Sequence, residues 1–299
     1  ETKVLPSVGL AYRPFDGATL RASYSETVAR PSFREMGYYV TIQPGTDERF
    51  LGNPQLTLSE VKSWDARAEY LRGELGDLVA FSAFYKVVSD PIESIILRNP
   101  LDFDSGSAAL FRTYFNNSNT ARLFGIEIEA RKSFDFVRQL GFDFPGIDAL
   151  DYFSIGGNFS YIDARVGRTE AELARSRPYY SVVPGDDFRF ARLSSKRRLF
   201  GQPEWIGNAD VSFNHPDWGT DVTLAVFAIS DVLDAAGSVS LDGGGNPAAF
   251  TLDRYFDSYH QLDLIAGQEI WKGVTLKFSV KNLTNTARRR IYDRKQTAQ

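Results

Sequence analysis

The stretch Val274-Thr275-Leu276-Lys277-Phe278-Ser279-Val280 puts an apolar side chain at every second position and a polar one between. Successive side chains of a β-strand point to opposite faces, so this is a strand with one apolar face and one wet face. The same period recurs through the chain. Ala18, Leu20, Ala22 and Tyr24 alternate with Thr19, Arg21 and Ser23, and Trp64, Ala66, Ala68 and Tyr70 with Asp65, Arg67 and Glu69. Phe124, Ile126, Ile128 and Ala130 alternate with Gly125, Glu127, Glu129 and Arg131, while Ile155, Phe159 and Tyr161 alternate with Gly156, Asn158 and Ser160. The pattern predicts an all-β fold of about ten antiparallel strands. They fall near 3–12, 18–30, 58–72, 76–90, 113–133, 150–166, 204–214, 221–231, 256–270 and 274–283.

Two architectures share this alternation. A soluble sandwich turns its apolar faces inward; an outer-membrane barrel turns them toward lipid and lines its lumen with polar groups. Hydropathy alone favours the first, with a mean of −0.27 and no apolar run near the ~18 residues of a spanning helix. Three features favour the barrel. Several strands are far longer than the ~5–6 residues usual in soluble sheets. Aromatic residues gather near strand ends (Tyr12, Phe15, Tyr24, Tyr70, Phe134, Phe213, Trp218 and Trp271), as interfacial girdles do. The polar faces carry many charges. Connection lengths agree: short turns at 14–17, 72–76, 214–219 and 271–273 alternate with long segments at about 31–57, 91–113, 167–203 and 233–253, apart from a medium turn near 135–149. Short turns on one side of the membrane and long loops on the other are the barrel pattern. No inter-domain linker interrupts residues 1–299, which read as one barrel domain.

Composition removes several functions. With 34 basic and 38 acidic residues the net charge is −4, which offers no basic surface to nucleic acid. The absence of Cys excludes a disulfide scaffold, a thiolate metal site and a cysteine nucleophile. Two histidines, His215 and His260, argue against a poly-His metal centre. Ser258 and His260 would share a strand face that Asp263 does not, so no catalytic triad is expected. Asp242-Gly243-Gly244-Gly245-Asn246-Pro247 lacks the Lys and helix of a phosphate loop and reads as a loop tip. No enzyme activity, cofactor or metal is expected.

Two sets of residues are candidates for function. In the long connections, Tyr38, Tyr39, Arg49, Arg112, Tyr114, Tyr179, Tyr180 and Arg192 combine stacking faces with hydrogen-bond donors, which suits a carbohydrate, siderophore or peptide ligand. On the inward strand faces, Asp65, Arg67, Glu69, Glu127, Glu129 and Arg131 either pair across strands or contact a domain inside the lumen. Arg288-Arg289-Arg290 suits lipopolysaccharide phosphates or begins a solvated loop. By strand parity both ends of the chain lie on the long-loop side. An even strand count would let the strands near 3–12 and 274–283 pair. The closed lumen would, however, be too narrow for the many inward charges, and the 31–57 and 167–203 loops oversized for its rim. The two strands are therefore expected not to pair, as in a portion of a larger barrel.

Four stretches resemble one family. They are Tyr24-Ser25 with Ala29-Arg30-Pro31-Ser32-Phe33; Gly52-Asn53-Pro54 with Glu60, Asp65 and Glu69-Tyr70; Asn116 with Gly125-Ile126-Glu127-Ile128-Glu129; and Val280-Lys281-Asn282-Leu283-Thr284-Asn285. In this order they are similar to the C-terminal part of the barrel of TonB-dependent outer-membrane receptors. Thr57-Leu58-Ser59 departs from the family's usual Lys-Pro-Glu. The resemblance implies roughly strands twelve to twenty-one of an about 22-stranded barrel, with the plug, the TonB-contacting box and the last strand outside this chain. It implies a Gram-negative outer-membrane location, contact with lipid and lipopolysaccharide, and partners in the plug, the remaining strands and TonB. The function implied is active uptake of a scarce extracellular small ligand. The rivals are a passive porin and a structural or assembly-intermediate barrel piece.

Overall fold

In the computed structural model, which describes residues 2–42, 48–72, 77–98, 110–168, 194–237, 239–241, 247–250 and 253–292, the alternating stretches are strands. The chain opens with β1 (Ser7–Tyr12) and β2 (Ala18–Ala29), then runs through α1 (Phe33–Met36), β3 (Val40–Ile42) and β4 (Arg49–Leu51). The long strands β5 (Ser59–Arg72) and β6 (Asp77–Ser89) precede the shorter β7 (Ile92–Arg98) and β8 (Leu110–Asn116). Next come β9 (Ala121–Ser133), α2 (Phe136–Gln139), β10 (Phe153–Gly167), β11 (Lys196–Arg198), β12 (Trp205–His215) and β13 (Thr220–Ile229). Four short strands follow, β14 (Val232–Ala235), β15 (Val239–Leu241), β16 (Pro247–Phe250) and β17 (Arg254–Phe256). The chain closes with β18 (Tyr259–Trp271), β19 (Val274–Val280) and β20 (Arg290–Tyr292).

Ten of these strands form one meandering wall in the order β1-β2-β5-β6-β9-β10-β12-β13-β18-β19, with β11 added to β10. Every neighbouring pair is antiparallel. Among the described residues β1 and β19 are the two edges and do not bond to each other, as expected from the crowding of inward charges that a closed ten-stranded lumen would impose. At Gly17 the first turn needs φ +83°, and a Cβ there would sit 2.3 Å from the Leu71 carbonyl oxygen, so only glycine fits.

The register puts all the apolar alternating positions on one face. Tyr24, Trp64, Tyr85 and Phe124 lie side by side across four strands, with Tyr24–Trp64 ring centroids 5.2 Å apart and Trp64–Tyr85 5.8 Å. Further along the same face Phe124, Ile128, Phe159 and Phe278 are 49%, 50%, 49% and 57% exposed. Soluble monomers rarely show a contiguous apolar patch beyond a few hundred Å², whereas this one crosses the whole wall. No described helix is long and apolar enough to cross a membrane, which leaves crossing by strands untouched. The fold is a portion of a transmembrane β-barrel.

The structure revises the sequence map in three places. The span 113–133 is two strands, because Asn117 and Asn119 divert the backbone between β8 and β9; the Asn119 N–H donates to Asn117 Oδ1 at 2.9 Å, a local bond that competes with the ladder. The first strand begins pairing only at Ser7, after Pro6, which has no N–H to give. The last wall strand ends at Val280 because Asn282 takes φ +56°. The long connections are also far from plain loops. They hold a four-stranded sheet β3-β4-β8-β7, a three-stranded sheet β14-β17-β20 and the hairpin β15-β16. Arg288-Arg289-Arg290 thus leads into a strand, with Arg290 paired opposite Phe256.

Burial follows the same division. Of the apolar residues that are most enclosed, Ile96, Phe111, Phe50, Leu233, Ala235 and Ala236 belong to the long-connection layer. A small apolar cluster of Ala121, Leu123, Ala164, Val166 and Leu199 joins that layer to the wall.

Candidate ligand site

The site is assembled by the family-like motifs, each acting as a brace. Ser32 caps α1: its Oγ accepts from the Glu35 N–H at 3.3 Å, and its own N–H donates to Glu35 Oε2 at 2.7 Å. This reciprocal S-x-x-E box satisfies two backbone donors that a helix start leaves open. It fixes Arg34, whose guanidinium lies 4.9 Å from the Phe50 ring centroid. The Asn53 N–H donates to the Glu35 carbonyl at 2.6 Å, and Asn53 Nδ2 donates to the Tyr114 carbonyl at 3.0 Å. Gly52 lies so close to Gly37 that a Cβ would meet the Gly37 carbonyl oxygen at 2.1 Å. Asn116 Nδ2 donates to the carbonyls of Thr57 (3.1 Å) and Asp90 (2.9 Å), while its Oδ1 accepts from the Thr57 N–H at 2.8 Å. At the far edge, Asn282 donates its N–H to Asp263 and accepts from the Thr286 N–H.

Beside the Ser32 and Asn53 braces lies a cavity of about 490 Å³ lined by Arg34, Tyr39, Thr41, Ile42, Glu48, Phe50 and Arg112. Its floor is a buried charge cluster. Arg112 Nε donates to Ser94 Oγ at 2.8 Å, and its guanidinium pairs with Asp234 at 3.1 Å. Arg254 Nε donates to Asp234 Oδ2 at 2.7 Å while its other nitrogens grip Glu48. Arg290 stands 3.5 Å from Asp234. Burial works to raise the Glu48 carboxyl, but hydrogen bonding to Arg254 and the charges of Arg254, Arg112 and Arg290 hold it below its ordinary value. Burial likewise works to lower Arg254, yet Glu48 and Asp234 outweigh it and hold it above its ordinary value. Burial pushes the Tyr114 hydroxyl up.

Of the residues expected to meet a ligand, Tyr39 and Arg112 share this cavity. Tyr38 stands beside Tyr39 and is 73% exposed. Arg49 caps the Phe111 ring at 5.7 Å. Tyr114 is half-buried, edge-on to Phe50 at 5.7 Å and to Phe200 at 6.0 Å, so it packs the layer together. Tyr179, Tyr180 and Arg192 lie outside the described residues. Sequence reading missed Arg34, Glu48, Asp234 and Arg254. Only the S-x-x-E spacing at Ser32–Glu35 carried a local signal for any of them. A second buried set was also missed: Arg197 Nη2 donates to Glu93 Oε2 at 2.7 Å, and Asn117 Nδ2 donates to the same oxygen at 2.7 Å.

The inward wall charges lie on the face opposite the aromatic row. Arg67 donates to Glu69 at 2.9 Å and to Glu129 at 2.7 Å, and Arg21 pairs with Glu69 at 2.6 Å. Asp65 accepts from Ser63 Oγ at 2.7 Å. Among the described residues, Glu127 and Arg131 make no ion pair. Nor does any group of three or more His, Asp or Glu converge there as metal ligands.

Residues 1–283 match the family model described as TonB dependent receptor-like, beta-barrel, and the chain belongs to that family. Among solved structures it is similar to the ferric enterobactin receptor PfeA of Pseudomonas aeruginosa, at 15% identity and TM-score 0.52, covering 94% of this chain and 34% of that one. It is similar to the ferric-catecholate import receptor Fiu of E. coli K12, at 14% identity and TM-score 0.51, covering 94% and 30%. It is also similar to the copper transporter OprC, at 13% identity and TM-score 0.55, covering 94% and 34%. At these identities the likeness is one of fold. The chain spans about a third of the length of the solved chains it matches. No curated protein matches it.

Proposed function

We propose that this chain, residues 1–299, is one contiguous barrel portion of an outer-membrane receptor that takes up a scarce extracellular small ligand with energy supplied through TonB. The observation that carries the reading is the built layer at the long-loop rim, where buried ion pairs hold an open polar cavity over the wall. A passive pore has no need of a stiff, donor-lined site at its mouth. In this reading the apolar face meets lipid, the long connections face outside, and the short turns face the periplasm. Tyr38, Tyr39, Arg49 and Arg112 offer stacking and donor contacts to a ligand rich in acceptor oxygens, with Tyr114 holding them in place. Tyr179, Tyr180 and Arg192 complete that set from the third long connection. Asp65, Arg67, Glu69, Glu127, Glu129 and Arg131 face a plug in the lumen, and among the described residues Asp65, Glu127 and Arg131 make no ion pair within the wall.

The test uses cells producing the full-length protein and supplied with radiolabelled ferric catecholate or with cupric ion as probes, each with and without TonB. TonB-dependent accumulation of either probe is expected. Accumulation that is equal without TonB would point to the passive porin.

A further inference from the structure

The connection between β9 and β10, residues 134–152, lies on the short-turn side yet is far longer than its neighbours there. Both of its ends fold toward the outward face. Lys132 is the register partner of Ile155, on the apolar face. Its ammonium lies 5.8 Å from the Phe136 ring centroid, and the Phe134 ring lies 5.9 Å from the same ring. At the other end Tyr152 stacks on His215 at 3.9 Å, and His215 stacks on Trp218 at 4.0 Å. His215 stands two residues beyond Phe213, the partner of Phe153, so this buried imidazole and its stack belong to the outward face too. Between those ends the connection is braced. Arg138 pairs with Asp148 at 3.1 Å and with Asp151. Gly141 and Gly146 take φ +84° and +89°, left-handed bends that suit glycine.

What this scaffold presents is apolar. Leu140, Phe142 and Phe144 are 68%, 59% and 46% exposed. Large apolar side chains exposed singly are ordinary, but three gathered in one short stretch mark an interaction surface. They belong to no strand, so the alternation of the wall does not place them. A braced connection that leans outward at the foot of a lipid-facing wall meets the leaflet on its own side. We infer that the 134–152 connection is a membrane anchor whose Leu140, Phe142 and Phe144 enter the headgroup–acyl boundary of the periplasmic leaflet. The surface is continuous with the wall's apolar face through Phe136 and Tyr152, which selects lipid over a soluble partner as the occupant. Charge selects the kind of lipid. Asp135, Asp143, Asp148 and Asp151 stand in this connection against Arg138 alone, and Asp143, between the two exposed phenylalanines, has no cationic partner among the described residues. Interfacial segments that seek anionic lipid carry the opposite charge. The occupant is therefore a zwitterionic phospholipid, whose ammonium group Asp143 can meet. The inference rests on the proposed reading that the outward face meets lipid and the short turns face the periplasm.

The experiment is site-directed spin labelling of the full-length protein, reconstituted into vesicles of phosphatidylethanolamine and phosphatidylcholine. A nitroxide is attached through Phe142→Cys in the connection, Ile128→Cys on the wall or Asp16→Cys in the first turn, three exposed positions, with the label on unsubstituted protein subtracted. Phe142 holds neither end of the connection, so its replacement should leave folding intact. The readout is the ratio of collisions with oxygen, which concentrates in lipid, to collisions with a water-soluble nickel chelate. At 142 the ratio is expected to stand about five-fold above that at 16 and to approach that at 128. A ratio at 142 equal to that at 16, with 128 still high, would overturn the anchor, whether the nitroxide moves freely or is held by a periplasmic protein. A low ratio at 128 as well would fail the lipid-facing assignment itself, and the anchor with it. Replacing the phosphatidylcholine with anionic phosphatidylglycerol should roughly halve the ratio at 142 and leave 128 unchanged; no fall at 142 would overturn the zwitterionic occupant.

Discussion

In the wall, Phe124 and Ile128 stand about half exposed while their backbones are bonded to strands on both sides. In the long-connection layer, Glu93 and Arg197 have side chains only 0% and 3% exposed and meet across 104 residues of sequence. The wall puts apolar groups outside and ions on its wet inner face. The layer puts ions inside and shields them with short strands. The difference teaches where each part draws its order. Repeating ladder bonds hold the wall, and a bilayer replaces the missing core. The layer has no bilayer to complete it, so it closes around charge pairs, whose geometry is stricter than apolar contact.

The strongest way to break this contrast is to remove one buried ion. Arg197→Met leaves Glu93 enclosed without its cation, and a loss of about 3–5 kcal/mol is expected. Hydrogen exchange should show it in 92–98 and 110–116 while the wall strands keep their protection. Uniform loss of protection through the wall would mean that the two regions are one cooperative unit.

A charge on the lipid-side face tests the other half. Ile128→Arg should cost about 2–4 kcal/mol near the bilayer midplane, read from reversible folding into vesicles, whereas its inward neighbour change Glu127→Gln should stay within about 0.5 kcal/mol. Equal costs would reverse the assignment of faces. At the first turn Gly17→Ala should cost at least about 1–2 kcal/mol, because its left-handed backbone penalises a side chain and its Cβ would also meet the Leu71 carbonyl oxygen.

Acid should loosen the layer before the wall. Glu48 sits below its ordinary value near 4.5, so it stabilises the fold above that pH and the contribution drains away as pH falls through the lowered value. Limited proteolysis from pH 7 to 3 should therefore first cut near the β3–β4 segment; first cuts in the short turns would contradict this. The smallest stability effect belongs to Tyr38→Ala, within about 0.5 kcal/mol. As a proposed ligand contact, its effect on uptake should exceed that of the still more exposed Phe33→Ala.

Much of this was legible residue by residue. The period of two located all ten wall strands, and the short and long connections gave their order, because an antiparallel meander pairs neighbours in sequence. The inward charges were legible for the same reason, since Arg67, Glu69 and Glu129 share a face by parity alone. The cavity was not. Glu48 and Arg254 are 206 residues apart, β4 runs parallel to β8, and three-residue strands such as β3, β4, β11 and β20 are too short to show a period. Asn53 and Asn116 stand in the sequence only as parts of family-like stretches, whereas each ties one connection to another.

The sequence by itself therefore determined the wall's strand count and its faces, which follow from side-chain alternation, a local property, and its family likeness, which four local motifs carry. Only the tertiary structure decided the layer, because its strands gain partners and its ions lose water only when distant connections meet. It alone also aligned Tyr24, Trp64, Tyr85 and Phe124, since each residue's face is readable by alternation but their juxtaposition depends on register across four strands.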